Sequence, residues 1–400
     1  MFPRLRFKKF DGDWEKTTIG AKSETVTSGS RDWAQYYSDS GDKFIRMTNL
    51  VRNGINLDLS DLRFVQLPVG SNEGKRTSLE KGDILISITA ELGKLGWIPE
   101  GLGTAYINQH TALVRMKNTL DSKFVAYALS TEKYNNKLNS LNDSGAKAGL
   151  NLGSIRSFEL TIPSKPEQTQ IASFLSVVDE KISQLTQKFE LLSKYKQGMM
   201  QKLFSHQVRF KADDGSDFGA WEDKKLGEIS KTFSGGTPQS SNKSFYEGTI
   251  PFIKSGEISK NTTEQCINDL ALEKSSAKLV KKGDLLYALY GATSGQVAIS
   301  QIDGAINQAV LCIRSEMNTK YLLNFLFLKK EEILTTYLQG GQGNLSASIL
   351  KEIYIPTPCL KEQTKIANFL SAIDQKIEVV AQQIEQAKQW KKGLLQQMFV

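Results

Sequence analysis

Residues Glu167–Phe204 have the sequence EQTQIASFLSVVDEKISQLTQKFELLSKYKQGMMQKLF, and residues Glu362–Phe399 have the related sequence EQTKIANFLSAIDQKIEVVAQQIEQAKQWKKGLLQQMF. The two segments align without a gap at a constant offset of 195 residues and share 17 identities over 38 positions. Two unrelated helices of similar composition would not agree so closely. The segments therefore indicate an internal duplication.

Apolar residues recur in steps of three and four along both segments. This spacing is the heptad pattern of a helix that packs along another helix. A helix of this length is roughly 57 Å long, and the chain order predicts an antiparallel pair with one domain at each end and pseudo-two-fold symmetry. The predicted seam residues are Ile171, Leu175, Val178, Ile182, Leu185, Phe189, Ile366, Leu370, Ile373, Ile377, Val380 and Ile384.

Two other matching pairs leave alternatives open. Lys196 and Lys391 share a seam position, where a charge either sets the register of the pair or extends its stem towards solvent near a helix end. Gly198 and Gly393 indicate either a close backbone approach or a local weakening of the helix. An ordinary helical hairpin that stabilises a two-domain protein is the alternative interpretation of the whole pattern.

Length and composition limit the class of protein. A chain of 400 residues exceeds the size of a single core, so we expect more than one domain. The net charge of +8 is compatible with nucleic-acid binding but does not demonstrate it. The sequence contains no apolar run long enough for a bilayer, no secretory signal, and no disulfide or zinc pattern among its three cysteines. We expect a cytoplasmic protein.

The duplication extends into the segments that precede the two helices. Lys81-Gly-Asp83 and Lys282-Gly-Asp284 each lead into an apolar stretch, as do Ile107-Asn-Gln109 and Ile306-Asn-Gln308, which predicts matching strands entered from turns. Helical patterns follow in both halves. The predicted fold class is therefore α/β (α+β), with two strand-rich domains and two long helices. The predicted boundaries are 1–165 and 206–360 for the domains and 166–205 and 361–400 for the helices.

Catalytic motifs are poorly supported. The phosphate-binding and dinucleotide-binding glycine motifs are absent, and His110 and His206 lie far apart without metal-ligand neighbours. Glu73-Gly-Lys75 and Glu222-Asp-Lys224 resemble the end of a nuclease triad, but the sequence has no Pro-Asp dipeptide to complete one. Asn108-Gln109 is interpreted either as a pair of catalytic amides or as ordinary turn residues. By elimination, we expect a protein that is not an enzyme and holds no metal.

The sequence resembles the specificity subunit of type I restriction-modification systems over essentially its whole length. The resemblance rests on the EQ-x-x-IA-x-FL openings of both long segments, their Lys-x-Gly endings, and the lead-ins Trp14-Glu15 and Trp221-Glu222. It also rests on the Ser234–Pro238 loop and the later Gly343–Leu345. The Ser234–Pro238 loop has no clear counterpart in the first half.

This resemblance implies a function and a set of partners. Each domain would be a target-recognition domain for one half of a split site in double-stranded DNA, and the helices would set the gap. The expected partners are two modification (methyltransferase) subunits and the restriction (helicase-nuclease) subunits. S-adenosylmethionine and ATP with Mg are expected on those partners, with no cofactor on this chain.

DNA contacts are expected on loops where the two domains differ. Arginine and lysine pair with guanine edges, and asparagine and glutamine pair with adenine. The alternatives are a coiled-coil scaffold with two protein-binding domains and a nuclease that acts alone. The predicted DNA-binding residues are Arg46, Thr48, Lys94, Gln109, Lys147, Thr237, Lys254, Ser255, Tyr290, Gln308 and Asn344.

Overall fold

A computed structural model describes residues 3–141, 149–337 and 345–399. The chain divides into two compact units. The first unit contains Met1–Leu185 together with Gln383–Val400, and the second contains Thr186–Gln382. Each unit therefore includes part of both long helices. The predicted DNA-binding residues Lys147 and Asn344 lie outside the described residues.

The first unit is rich in short strands. Its strands are β1 Glu15–Thr18, β2 Ser23–Ser28, β3 Tyr37–Ser38, β4 Asp42–Ile45, β5 Arg63–Val65, β6 Ile84–Ser87, β7 Leu95–Trp97, β8 Ala105–Ile107, β9 Thr111–Met116 and β10 Glu159–Ile162. Its shorter helices are α1 Ile19–Lys22, α2 Ser122–Ser130, α3 Glu132–Ser140 and α4 Leu152–Ser157. The first long helix, α5, spans Lys165–Phe204 and continues into the second unit.

The second unit has a similar order of elements, with an additional helix, α7, between β14 and β15. Its strands are β11 Glu222–Lys225, β12 Ser230–Ser234, β13 Ile250–Ile253, β14 Cys266–Ile267, β15 Lys278–Val280, β16 Leu285–Ala288, β17 Val297–Ile299, β18 Gly304–Ile306, β19 Val310–Ser315 and β20 Tyr354–Thr357. Its shorter helices are α6 Leu226–Ile229, α7 Asp269–Glu273, α8 Thr319–Leu328, α9 Lys330–Tyr337 and α10 Ala347–Lys351. The second long helix, α11, spans Leu360–Met398.

Two of the three sheets in each unit have the same topology. A two-stranded sheet, β1-β10 or β11-β20, accompanies an antiparallel sheet of order β2-β9-β6-β7 or β12-β19-β16-β17. The third sheets differ: β3-β5-β4-β8 places both extra strands on one side of the parallel pair β4–β8. In β14-β13-β18-β15, one strand flanks each side of the parallel pair β13–β18. The strand order is thus the same in the first two sheets of each unit and differs in the third.

The antiparallel sheet has two apolar faces with different partners. In the first unit, Ile84 and Ile86 of β6 pack in the core that includes the long helices, because alternate side chains of a strand point to opposite faces. Leu85 lies between them in sequence but packs in a separate core with Ile45 and Ile107 of the third sheet. The continuous apolar run predicted as a strand is therefore buried on both sides.

The Lys-Gly-Asp turns have a shared structural role. The Asp83 carboxylate accepts a hydrogen bond from the Glu80 backbone N–H, at 2.7 Å, and both carboxylate oxygens bind Arg115 on β9. Asp284 likewise binds the Lys281 N–H and Arg314 on β19. Burial opposes ionisation of Asp284, but the hydrogen bonds from Arg314 and the Lys281 N–H, together with the charge of Arg314, outweigh it and hold the pKa of that carboxyl below its ordinary value. The matching sequence thus preserves a turn that is bonded to the neighbouring strand.

The long helices run antiparallel within each unit. In the first unit, Ile171 and Leu175 near the start of α5 share one core with Leu394 and Met398 near the end of α11. In the second unit, Leu203 near the end of α5 shares a core with Ile366 and Leu370 near the start of α11. Of the predicted seam residues, Ile182, Phe189, Ile377 and Ile384 are half-buried and the others are buried. The prediction of two strand-rich domains with two long helices packed together is confirmed.

The seam lysines form ion pairs between the helices. Lys391 on α11 pairs with Asp179 on α5, and the Tyr127 hydroxyl donates a 2.7 Å hydrogen bond to the same carboxylate. At the equivalent position, Lys196 Nζ lies 2.6 Å from Asp374 Oδ1. The side chains of Asp179 and Lys391 are only 11% and 12% exposed, whereas Asp374 is 49% exposed. Both lysines therefore bind across the helix pair, but only the pair in the first unit is largely shielded from solvent.

The two ion pairs should differ in their contribution to stability. Asp179→Ala leaves the largely shielded Lys391 without its partner, and removal of one member of a fully buried pair costs about 3–5 kcal/mol in the free energy of unfolding, so we expect a loss towards the lower end of that range. Asp374→Ala removes an exposed pair, which is worth about 0–1 kcal/mol. Urea unfolding of both variants checks the difference, and equal losses would contradict the assigned burial.

Candidate nucleic-acid interface

A pair of parallel strands places the predicted residues of the second domain at one edge. The paired residues of β13 and β18 are Phe252 with Ala305 and Ile253 with Ile306. Because parallel strands end at the same edge of a sheet, Lys254-Ser255 and Asn307-Gln308 emerge side by side. The Lys254 backbone N–H donates to the Glu257 carboxylate at 3.1 Å, which fixes the turn after β13.

The first domain has the same edge. Ile45 at the end of β4 pairs with Ile107 at the end of β8, so Arg46 follows one strand where Asn108 follows the other. The Arg46 backbone N–H donates to Asn49 Oδ1 at 2.9 Å, in the same way that Lys254 binds Glu257. Arg46 in the first domain and Lys254 in the second therefore occupy equivalent positions, and so do the Asn-Gln segments that follow β8 and β18.

Three of the predicted residues in the second domain lie together, with a fourth nearby. The Thr237 hydroxyl donates a 2.6 Å hydrogen bond to Gln308 Oε1. Burial raises the pKa of the Tyr290 hydroxyl, while a hydrogen bond from Gln308 partly opposes that rise. A Cβ atom at Gly291, beside Tyr290, would lie 3.9 Å from Ser255 Oγ. Thr237, Tyr290 and Gln308 thus form a polar cluster at the edge, and Ser255 lies near Gly291, the residue after Tyr290.

The predicted residues of the first domain have different neighbours. Gln109 Nε2 lies 3.0 Å from His110 Nε2, and His110 Nδ1 lies 2.8 Å from Thr89 Oγ1. Lys94 forms an ion pair with Glu91 in the same β6–β7 loop that holds Thr89. This loop and Gln109 therefore meet through His110.

Arg46 and Thr48 lie on the other side of the first-domain edge. The Arg46 guanidinium binds the Asp61 carboxylate at 2.7 Å and the Asp61 carbonyl at 2.8 Å. Thr48 is exposed. An intramolecular carboxylate thus partly neutralises Arg46, as Glu91 does for Lys94.

A glycine brings a further loop against each edge. A Cβ atom at Gly235 would overlap the Ile306 carbonyl oxygen, and one at Gly29 would overlap the Ile107 carbonyl oxygen. The Gly235 N–H donates to the Asn307 carbonyl at 3.2 Å. The expectation that the Ser234–Pro238 loop has no first-domain counterpart is therefore wrong, since Ser28-Gly29-Ser30 takes that position. The sequence comparison missed it because only one glycine of the loop is shared.

His110 and Thr89 are edge residues that the predicted set did not contain. Thr89 belongs to the loop after β6, and His110 immediately follows Gln109. The available signal was His110 itself, since the matching position after Gln308 is Ala309. Because the Asn-Gln pair is the same in both halves, the change from Ala309 to His110 next to it indicates that the two edges differ in chemistry.

Two kinds of feature are absent from the described residues. In the three described ranges, no group of three or more His, Cys, Asp and Glu side chains could hold a metal ion. Within the same ranges, no helix combines the length and the apolar character needed to cross a bilayer.

Comparison with known proteins identifies the family. The profile described as "Type I restriction modification DNA specificity domain" matches residues 12–193 and 219–389, which is most of the chain. The chain belongs to this type I specificity family. The two matched ranges correspond to the two halves of the duplication.

Several relatives resemble the chain over all or part of its length. A protein of Methanocaldococcus jannaschii named as the MjaX type I specificity subunit is 28% identical, with 98% of this chain and 94% of the relative covered. The EcoR124I/EcoR124II specificity subunit of Escherichia coli is 27% identical over 39% of this chain and 41% of its own length. The crystal structure of the S subunit from M. genitalium shares the fold, with a TM-score of 0.64, 16% identity and coverage of 100% and 99%.

Family membership settles the broad function. The chain is the DNA specificity subunit of a type I restriction-modification system, a non-catalytic part of that complex. In this family, the cofactors belong to the modification and restriction subunits. The alternatives of a protein-binding scaffold and of a nuclease that acts alone are excluded.

Gly235 provides a test of the close packing between the Ser234–Pro238 loop and the end of β18. Gly235→Ala adds a methyl group against the Ile306 carbonyl, and overpacking of this kind costs about 1–3 kcal/mol in the free energy of unfolding. Gly256→Ala is the matched control, because a Cβ atom there would meet nothing within 4 Å. We expect only Gly235→Ala to lower stability in urea and to weaken DNA binding by the assembled complex. Similar behaviour of both variants would show that the loop does not pack on the edge.

Proposed function

We propose that residues 1–165 and 206–360 are two target-recognition domains, each of which binds one half of a bipartite site in double-stranded DNA. The long helices, residues 166–205 and 361–400, set the number of unrecognised base pairs and hold two modification subunits. The complex acts in the cytoplasm, where its DNA substrate lies. Restriction subunits join the complex through the modification subunits.

The observation that carries this proposal is the repeated edge with different side chains. Both domains end two parallel strands at one edge and then present polar loops there. The backbone arrangement is the same, yet the neighbours of Gln109 and Gln308 differ. Side chains at base edges carry sequence information, whereas phosphate contacts only position a protein. Two domains with the same backbone arrangement but different polar side chains at the edge are therefore suited to two half-sites of different sequence.

The predicted DNA-binding residues enter this proposal in two roles. Gln109, Thr237, Ser255, Tyr290 and Gln308 offer hydrogen-bonding groups suited to base edges. Cations suit phosphate oxygens, whose contacts make the affinity dependent on salt. Arg46, Lys94, Lys147 and Lys254 are assigned to phosphate contact, and Thr48 is assigned to contact from its exposed turn. Asn344 stays a predicted DNA contact with no assigned role.

Domain exchange tests the bipartite function. Replacement of residues 1–165 by the matching domain of a relative should change one half of the methylated motif and leave the other half intact, because each edge belongs to one domain. Sequencing of methylated bases in a genome that carries the variant complex measures both halves. A change in both halves would contradict the proposal.

A repeated apolar surface supports the proposal of two modification subunits. In the first unit, the ring of Trp390 is 55% exposed and packs edge-on against Phe174, which in turn packs against Phe7. Tyr195, at the position equivalent to Trp390, is 51% exposed in the second unit. Exposed aromatic residues at equivalent positions are suited to bind the same partner twice, since tryptophan and tyrosine dominate binding energies at interfaces.

The matching glycines lie one turn beyond these aromatic residues. A Cβ atom at Gly198 would meet nothing within 4 Å, and one at Gly393 would meet only the Gln397 side chain at 4.0 Å. Close approach inside this chain therefore does not explain them, which leaves room at both surfaces for a partner's helix.

Substitution of the exposed aromatic residues tests the number of bound subunits. Trp390→Ala should remove one modification subunit, and Trp390→Ala with Tyr195→Ala should remove both, because loss of such a contact weakens binding by roughly tenfold or more. Val379→Ala is the matched control, since Val379 is 51% exposed on the same helix but matches the polar Gln184 in the duplication. Native mass spectrometry of the assembled complex counts the subunits, and full occupancy of the double variant would rule out these surfaces.

A further inference from the structure

The Glu73-Gly-Lys75 segment resembles the end of a nuclease triad, yet the chain is a non-catalytic subunit. The structure places this segment in the loop between β5 and β6. The Ser30 hydroxyl donates a hydrogen bond to Glu73 Oε1, and the Ser30 carbonyl accepts one from the Gln109 N–H at 3.0 Å. Glu73 therefore lies beside the Asn-Gln segment of the first-domain edge.

Contacts on the far side of Glu73 fix the loop that carries it. The next residue, Gly74, is buried and has a φ of 74°, a conformation that favours glycine. A Cβ atom there would lie 2.6 Å from Tyr106 Cδ1. The Arg76 guanidinium donates to the Ser28 carbonyl at 3.1 Å. The loop thus packs against the domain and holds Glu73 at the edge.

Glu73 differs from two other acidic residues near this edge. Asp61 and Glu91 each form an ion pair with a neighbouring cation. Glu73 is half-buried and, in the part of the chain that the structure describes, it has no ion-pair partner and only Ser30 donates to its carboxylate. An unneutralised carboxylate repels DNA phosphates. At a DNA-binding edge it therefore opposes affinity, unless it accepts a hydrogen bond from a base.

The second domain has a different group at this place. A Cβ atom at Gly236 would lie 2.6 Å from Ser276 Cβ, so the segment before the Lys282-Gly-Asp284 turn also reaches the edge loop. A serine hydroxyl both donates and accepts, whereas an ionised carboxylate only accepts. The corresponding segments therefore bring different chemistry to the two edges.

We infer that Glu73 accepts a hydrogen bond from the exocyclic amino group of a base in the first half-site. In the major groove these donors are cytosine N4 and adenine N6, and glutamate pairs with cytosine N4. Ser30 is a positioning residue that orients the carboxylate without touching the base. This inference rests on the proposed recognition of two half-sites.

Substitution of Glu73 by glutamine changes two measurable quantities in opposite directions. Glu73→Gln keeps the shape of the side chain and an oxygen for Ser30, but it removes the charge and adds a donor. Discrimination at one position of the first half-site should fall roughly fivefold to tenfold, the scale of one base-edge hydrogen bond. Binding to DNA without the motif should become severalfold tighter at low salt, because repulsion of the phosphates is lost.

Glu100→Gln is the matched control in the same domain. The Glu100 side chain is 81% exposed and pairs with Lys81 instead of contacting an edge loop. The control removes the same charge, so discrimination should keep its wild-type value. Both variants are assembled with the modification subunits. Methylation of a plasmid library with randomised half-sites is sequenced, and fluorescence anisotropy measures binding to DNA without the motif.

The outcomes separate this inference from the function on which it rests. Unchanged discrimination in Glu73→Gln, an equal loss in Glu100→Gln, or a loss that extends to the second half-site would overturn the contact with a base. A wild-type motif that is not bipartite would overturn the proposed function itself. The two failures are therefore distinguishable.

Variants of Ser30 test its role as a positioning residue. Ser30→Ala removes the hydroxyl and should lower discrimination severalfold at the position that Glu73→Gln affects, with the second half-site unchanged. Ser30→Thr keeps a hydroxyl and should restore the preference. Discrimination that survives Ser30→Ala, or that Ser30→Thr does not restore, would overturn the role of Ser30.

Discussion

Each unit depends on a buried carboxylate at the beginning of a long helix. Glu167 and Glu362 are 1% and 0% exposed, and each binds two nitrogens of an arginine from the preceding lead-in, Arg6 or Arg209. A buried carboxylate without such a partner would be strongly destabilising. The next residue, Gln168 or Gln363, accepts from the backbone at the N-cap of a domain helix and donates to a proline carbonyl. Two adjacent side chains thus join the lead-in, the long helix and the domain.

The sequence was sufficient for the elements whose determinants are local or periodic. The heptad spacing predicted both long helices, and the repeated Lys-Gly-Asp turns predicted β6 and β16. It was insufficient where a bond joins distant residues. Arg6 and Glu167 are 161 residues apart, and nothing in the spacing of either predicts the pair. The bond between His110 and Thr89 was missed for the same reason, because a loop that crosses from another strand supplies the threonine.

Divergence between the halves follows the packing of the sheets. The antiparallel sheet packs one face on the long helices, so its strand order is tied to a surface that the duplication preserves. The third sheet packs on the opposite face and has smaller cores of its own. Its flanking strands can therefore change without disturbance of the helices. The candidate interface lies at the end of the parallel pair in this less constrained sheet, which explains why two similar domains can differ at their edges.

The discontinuous first unit has a consequence for synthesis. Leu394, Met398 and Phe399 complete the core around Leu175, yet the ribosome adds them more than 200 residues later. At typical translation rates, this interval is on the order of 10–40 s. The second unit is one continuous stretch, so the ribosome finishes all of its residues before it adds the last segment of the first unit. During that time the apolar residues at the beginning of α5 lack their partners from α11 in the nascent chain. Slow translation or a shortage of chaperones would therefore reduce the yield of folded first unit more than that of the second.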